Sequence, residues 1–176
     1  MRPSLVLTLG VLLAACSSPA PPLTASGPPV SVAPPPSGSL TDARLQTVAN
    51  DIRELGDNPL GVGAREARAA MFQWISGSPD VSVTLCAPLT EPFTDVRGDT
   101  DRILFLSIIF HLAEQKIRAP EASRLEQTET AFSETLDTYE RLRSAGLPAN
   151  GTLDGLRSRQ DGGQLEAVVS NALSNC

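Results

Sequence analysis

The stretch ILFLSIIFHLA, residues 103–113, decides the fold class, because its apolar side chains lie on every side of a helix rather than on one face. A helix that is apolar all round is buried by other elements. The run has eleven residues, whereas a helix needs about 20 to span a membrane. The sequence therefore predicts a central helix over Thr100–Lys116 in an all-α domain.

Amphipathic segments on both sides of this stretch supply the helices that cover it. Apolar residues from Leu45 to Leu55 recur at spacings of three and four, which marks one helix face, and Gly56 can end that helix. Further helices are predicted over Ala64–Ser76, Pro120–Ala145, Leu153–Gln160 and onward from Leu165. Together these segments predict a single compact bundle of five to six helices.

One segment departs from the helical pattern. Between Pro79 and Cys86 apolar and polar residues alternate, which is typical of a strand. No second strand is predicted that could pair with it. We therefore expect at most one short extended segment, or else the start of a helix, at about residues 80–86, followed by a loop from Ala87 to Gly98.

The amino-terminal leader indicates export. Arg2 precedes the apolar run Leu5–Leu13, and small residues precede Cys16, as in a signal peptide. The stretch Leu13-Ala14-Ala15-Cys16 resembles the lipobox of bacterial lipoproteins. This resemblance implies that residues 1–15 are removed and that a lipid on Cys16 anchors the protein in the membrane. The other interpretation is an ordinary secretory signal with a chance cysteine.

The resemblance also implies a location. Ser17 and Ser18 follow the cysteine, and the absence of aspartate there implies the outer membrane in a host with two membranes, and otherwise the outer face of the cell membrane. The domain itself looks like small secreted helical proteins, with no motif that implies an activity.

A proline-rich segment separates the leader from the domain. Residues 17–39 hold eight prolines and no charge, which is typical of an extended spacer. We predict a lipidated cysteine and disordered tether over residues 16–39 and one globular domain over residues 40–176. The domain has 13 basic and 20 acidic residues, and its net charge of −7 disfavours nucleic acid as a partner.

Two cysteines remain once Cys16 carries lipid. An even pair in an exported domain predicts a disulfide between Cys86 and Cys176. The bond would hold the last helix, whose end would otherwise fray. The other interpretation is a pair of buried or reactive thiols.

The sequence predicts no catalytic, cofactor-binding or metal-binding residue. His111 is the single histidine, and in an apolar helix it is interpreted as a structural residue. One histidine with two paired cysteines does not supply a zinc site. Calcium at Asp95, Asp99 and Asp101 is disfavoured because Arg97 sits at a ligand spacing. The acidic residues of the fourth long helix are interpreted as a solvated face: Glu126, Glu129, Glu134, Asp137 and Glu140.

Three functions are weighed on this basis. The preferred one is a non-enzymatic envelope lipoprotein that binds or scaffolds another protein, with the loop Gly77–Gly98 as a contact surface. The alternative is a small-molecule or ion carrier with a pocket near His111, Trp74 and Tyr139. An envelope enzyme that uses carboxylates comes third.

Overall fold

The computed structural model describes residues 27–30, 32, 40–94 and 99–176, without the side chains of Asp99 and Asp101. This part of the chain is all-α and contains no strand. Its seven α-helices are α1 Asp42–Asp57, α2 Ala64–Gly77, α3 Ala87–Thr90, α4 Asp99–Arg118, α5 Arg124–Ser144, α6 Gly151–Asp161 and α7 Leu165–Ser174, with a 3₁₀ turn at Glu91–Phe93. The fold class is as predicted, but there are seven helices rather than five to six.

The additional helix is α3, which lies in the predicted loop after Cys86. Pro88 stands near its start, and its four residues are followed directly by the 3₁₀ turn. Leu89 and Phe93 from these two turns are fully buried in the core. The segment therefore folds because it carries two core residues, although it is too short for a periodic pattern to show.

The predicted central helix is confirmed as α4. All side chains from Ile103 to Gln115 are buried except that of Phe105, which is half-buried. One side of α4 packs on α5 and belongs to an apolar cluster that includes Tyr139 and Phe132 and residues of α3, α6 and α7. The other side packs with α1 and α2 around Met71 and Ile52, in a group of apolar residues that we call the α1–α2 cluster. Because α4 lies between two apolar clusters, it is apolar all round. Within the described residues, no helix combines the length and hydropathy that crossing a membrane requires.

Helix α5 begins later than the predicted start at Pro120. Ser123 is its N-cap and accepts a hydrogen bond from the backbone N–H of Glu126, whose carboxylate accepts one from the N–H of Ser123. This reciprocal capping box satisfies two backbone donors, so it sets the start of the helix in place of the proline.

The segment predicted to be extended forms no strand. Residues 81–86 have no regular secondary structure, and the helix that follows begins at Ala87. Val81 is buried against α2 and α4, and Val83 packs against both apolar clusters. Val81 is therefore a core residue and Val83 is partly buried, so the contact surface predicted for the exposed parts of this loop does not include Val81.

The disulfide between Cys86 and Cys176 is present, with the two Cα atoms 5.6 Å apart. It joins the residue before α3 to the last residue of the chain, and α3 and α7 pack against each other. The predicted role, holding the last helix to the domain, is consistent with these contacts.

A short piece of the proline-rich segment packs against the domain. Gly27 pairs with Gly61 in an isolated parallel bridge, and the backbone N–H of Val30 donates to the carbonyl of Val62 at 2.9 Å. Val30 and Val32 contact the α1–α2 cluster. A Cβ atom at Gly61 would lie 2.5 Å from Cγ2 of Val30, so glycine is needed for this approach. Contacts with the domain therefore begin before the predicted boundary at residue 40.

The remainder of the leader and tether, with Cys16, lies outside the described residues, as does Asp95 of the disfavoured calcium loop. The predictions of a signal peptide, a lipid anchor and a tether remain predictions.

Candidate functional site

The candidate site lies where α1, α4 and α5 meet, around the single histidine. His111 and Glu114 stand one turn apart on α4, and Glu134 comes from α5. Nδ1 of His111 lies 3.2 Å from Oε2 of Glu114 and 3.3 Å from Oε2 of Glu134. The side chain of Glu114 is fully buried and that of His111 nearly so, whereas that of Glu134 is 23 % exposed. We call these three residues the His–Glu cluster.

Two arginines complete the charge balance of the cluster. Nε of Arg118 donates to Oε1 of Glu114 at 2.6 Å. The guanidinium of Arg53, from α1, lies 3.0 Å from Oε1 of Glu114 and 3.5 Å from Oε1 of Glu134. Burying a carboxylate is costly unless it is paired and hydrogen-bonded, so these arginines allow Glu114 to occupy the interior.

Two further polar side chains, those of Gln115 and Asn50, hold Glu134 and Arg118 in place. Nε2 of Gln115 donates to Oε2 of Glu134 at 3.1 Å, and Nη2 of Arg118 donates to Oδ1 of Asn50 at 2.7 Å. The orientations of both carboxylates are therefore defined by neighbours on α1 and α4.

The close approach of α1 to the histidine favours glycine at position 56. A Cβ atom there would lie 3.0 Å from Cε1 and 3.1 Å from Nε2 of His111. Nε2 is buried and has no hydrogen-bond partner among the described residues. The ring therefore uses one nitrogen in the cluster and turns the other toward Gly56 without a partner.

The cluster shifts the ionisation of its members. Burial lowers the pKa of His111, but hydrogen bonds to Glu114 and Glu134 and the charges of both carboxylates outweigh it, so the pKa is raised. Burial raises the pKa of Glu114, but the hydrogen bond from His111, together with Arg118 and Arg53, outweighs it, so that pKa is lowered. Both shifts favour the charged forms, which makes the cluster an ionic network inside a helical core.

A cleft of about 170 Å³ opens beside the cluster. Its walls carry both signs of charge, and it is lined by Arg53, Asp57, His111, Glu134, Asp137 and Arg141, among others. Asp57 is paired with Arg141 and Asp137 with Arg157, each at 2.6 Å. These rim carboxylates already have cationic partners, so the His–Glu cluster is the chemically distinct part of the cleft.

A second cleft, of about 240 Å³, lies between α5 and the α6–α7 connection. It is larger, but the single charged side chain among its lining residues is that of Glu129. It offers no convergence of functional groups, so the cleft beside His111 is the candidate site.

The pocket predicted near His111, Trp74 and Tyr139 is not formed by these three residues together. Trp74 packs in the α1–α2 cluster, and its indole Nε1 is buried without a hydrogen-bond partner among the described residues. Tyr139 packs in the other cluster, where its hydroxyl donates to Asp154 at 2.7 Å and accepts from the backbone N–H of Asn150. His111 alone among them lines the cleft.

Sequence reasoning missed the partners of the histidine. It interpreted Glu134 as part of a solvated face, whereas Glu134 contacts His111 and Arg53, and it did not single out Glu114, Arg53 or Arg118. For zinc, potential ligands were counted among histidines and cysteines, and for calcium among the aspartates at positions 95, 99 and 101, so the glutamates near His111 were not considered. The available signal was a glutamate three residues after the histidine, at the end of a helix that is otherwise buried.

The three residues of the His–Glu cluster can hold a cation by geometry. One nitrogen and two carboxylate oxygens lie within 4.8 Å of one another.

No protein-family model matches the chain, and no curated protein or solved structure matches it either. The chemistry of this site is therefore the basis on which a function is proposed.

Proposed function

We propose that the protein is a lipid-anchored, non-enzymatic protein of the bacterial cell envelope whose helical domain binds a small solute or ion in the cleft beside His111. The observation that carries the binding function is the buried His–Glu cluster at this cleft. The lipobox-like leader supports the anchor, and the even cysteine pair supports an exported domain.

Stability alone gives little reason to place these charges here. Replacing a buried ionic network with apolar residues is often neutral or stabilising. In this domain the network is instead placed beside a cleft, and one imidazole nitrogen has no partner among the described residues. A binding role accounts for the position of the network beside the cleft.

The size of the cleft restricts what it can hold. A water molecule takes about 30 Å³ in the liquid, and pockets for drug-sized ligands start at roughly 300 Å³. A cleft of about 170 Å³ therefore suits an ion with its waters or a solute of a few heavy atoms.

A thermal-shift screen of the detergent-solubilised full chain tests the binding function. We expect at least one inorganic ion, small carboxylate or amino acid to raise the melting temperature by a few degrees, because a ligand that binds only the folded state stabilises it. Glu134→Gln should abolish the shift. Asp137→Asn should keep it, since this change removes the same charge from the rim of the same cleft. A screen without any response, or a response that Glu134→Gln retains, would argue against binding at this cleft.

Replacement of the leader cysteine tests the anchor. We expect Cys16→Ser to move the protein from the membrane fraction to the soluble fraction, because acyl chains contribute about 0.8 kcal/mol per buried methylene. The measurement is detergent-phase partitioning of cell fractions from both strains. Cys176→Ser serves as the control, since it removes a cysteine outside the lipobox. Unchanged partitioning of Cys16→Ser would rule out a lipid on this residue.

Binding of another envelope protein, the function preferred from the sequence, is the second proposal. It rests on three large apolar side chains that are exposed in the described part of the chain: Val62, Phe72 and Leu85. In-cell cross-linking followed by affinity capture tests this proposal, with Cys16→Ser as the control that separates membrane proximity from specific contact.

A further inference from the structure

Two of the three spacings between donor atoms in the His–Glu cluster match a metal coordination sphere. Metal ions such as zinc bind nitrogen and oxygen ligands at about 2.0–2.2 Å, and the ligands of a tetrahedral site are then about 3.3–3.5 Å apart. Nδ1 of His111 lies 3.2 Å from the Glu114 oxygen and 3.3 Å from the Glu134 oxygen. All three atoms lie within 4.8 Å of one another, so a small adjustment of the two glutamate side chains would bring them around one ion.

The surroundings of the donor atoms also suit a metal. Ligating carboxylates are usually held by hydrogen bonds from a second layer of residues. Here Arg118 binds Oε1 of Glu114 and leaves Oε2 facing His111, while Gln115 donates to the Oε2 of Glu134 that faces His111. One imidazole with two carboxylates is a donor set for zinc or for another divalent transition ion. Calcium, in contrast, takes six to eight oxygen ligands.

Arg53 occupies the approach to these ligands. Its guanidinium contacts the outer oxygens of both glutamates and lines the cleft. Its side chain is 53 % exposed, compared with 24 % for that of Arg118. Arg53 can therefore turn toward solvent without leaving the domain, whereas Arg118 is held more deeply by Glu114 and Asn50.

We propose that the His–Glu cluster binds one divalent transition-metal ion through Nδ1 of His111 and one carboxylate oxygen each of Glu114 and Glu134, and that Arg53 is a resident cation which the metal displaces. The ion takes the place of the proton between His111 and the two carboxylates. The proposal rests on the proposed binding function and specifies its ligand class. Competition with Arg53 makes the site exchangeable rather than permanently filled.

The test is titration of the chelator-treated full chain in detergent with Zn²⁺ and, separately, with Co²⁺. Isothermal calorimetry should show one Zn²⁺ per chain, and the visible absorption of Co²⁺ should report coordination by nitrogen and oxygen. Glu134→Gln and His111→Gln should each weaken binding at least about tenfold. Asp137→Asn should change the affinity by less than about twofold, since its charge is paired with Arg157 and lies outside the ligand set.

Arg53→Gln separates a metal site from a purely structural ionic network. Removing a positive charge next to both ligand carboxylates should raise the Zn²⁺ affinity about tenfold or more, whereas a structural network would only lose stability. Unchanged or weaker binding in Arg53→Gln would overturn the assignment, as would stoichiometric binding that Glu134→Gln retains. Because the Glu134 side chain is part-exposed, Glu134→Gln should fold, and it keeps the test valid if His111→Gln does not fold.

Failure of this proposal can be distinguished from failure of the proposed function. A wild-type chain that binds neither metal but is stabilised by another small solute, in a manner that requires Glu134, would overturn the metal assignment alone. A chain that responds neither to metals nor to solutes would overturn both.

Discussion

Loss of the Cys86–Cys176 bond is expected to lower the free energy of unfolding by about 4–5 kcal/mol, the largest single effect in this protein. The two cysteines are 90 residues apart, and a cross-link that closes a loop of this length removes that much chain entropy from the unfolded state. A small domain has only about 5–15 kcal/mol of stability, so this loss is a large share of the total. The melting temperature should fall by roughly 15–20 °C.

The measurement is urea unfolding of the full chain with and without reductant, together with the intact mass, which should be two daltons lower before reduction. Cys176→Ser should reproduce the loss and should then be insensitive to reductant. Cys16→Ser leaves the bond in place and should unfold like the wild type. An unfolding midpoint of the wild type that reductant does not change would contradict the prediction.

Glu114→Gln is expected to lower the free energy of unfolding by about 3 kcal/mol in metal-free protein. Glu114 is fully buried and contacts His111, Arg118 and Arg53. Removing one partner of a buried ion pair typically costs about 3–5 kcal/mol, because the remaining charge stays buried without compensation. The retained Glu134 and the amide hydrogen bonds of the new glutamine place the expected value at the lower end of this range.

Asp137→Asn provides the matched control for this prediction. The Arg157–Asp137 and Arg118–Glu114 pairs have the same closest distance, 2.6 Å, but Asp137 is 45 % exposed. A solvent-exposed ion pair contributes about 0–1 kcal/mol, so the control should lose no more than that. The comparison uses chemical denaturation of both variants in chelator. Equal losses of unfolding free energy in Glu114→Gln and Asp137→Asn would show that burial does not determine how much Glu114 contributes to stability.

Local patterns in the sequence were enough to predict much of the fold. The apolar surface of residues 103–113 predicted a central helix, since only burial on all sides explains such a surface. The disulfide was predicted from the cysteine count, on the expectation that the protein is exported and that Cys16 carries a lipid. In contrast, α3 was missed because four residues are shorter than the window in which periodicity can be detected. The start of α5 was misplaced because the capping box of Ser123 and Glu126 lies after the more conspicuous Pro120.

The sequence by itself determined the fold class, the central helix and the cysteine pairing, because each follows from composition, periodicity or residue count. Only the tertiary structure decided the site. Arg53 stands on α1, far along the chain from His111 on α4 and Glu134 on α5. Helical periodicity gives the direction in which a side chain such as Glu134 points, but it does not say which neighbouring helix covers that face. Packing of α1 and α5 on α4, with glycine at position 56, turned an apparently solvated glutamate and a structural histidine into a candidate binding site.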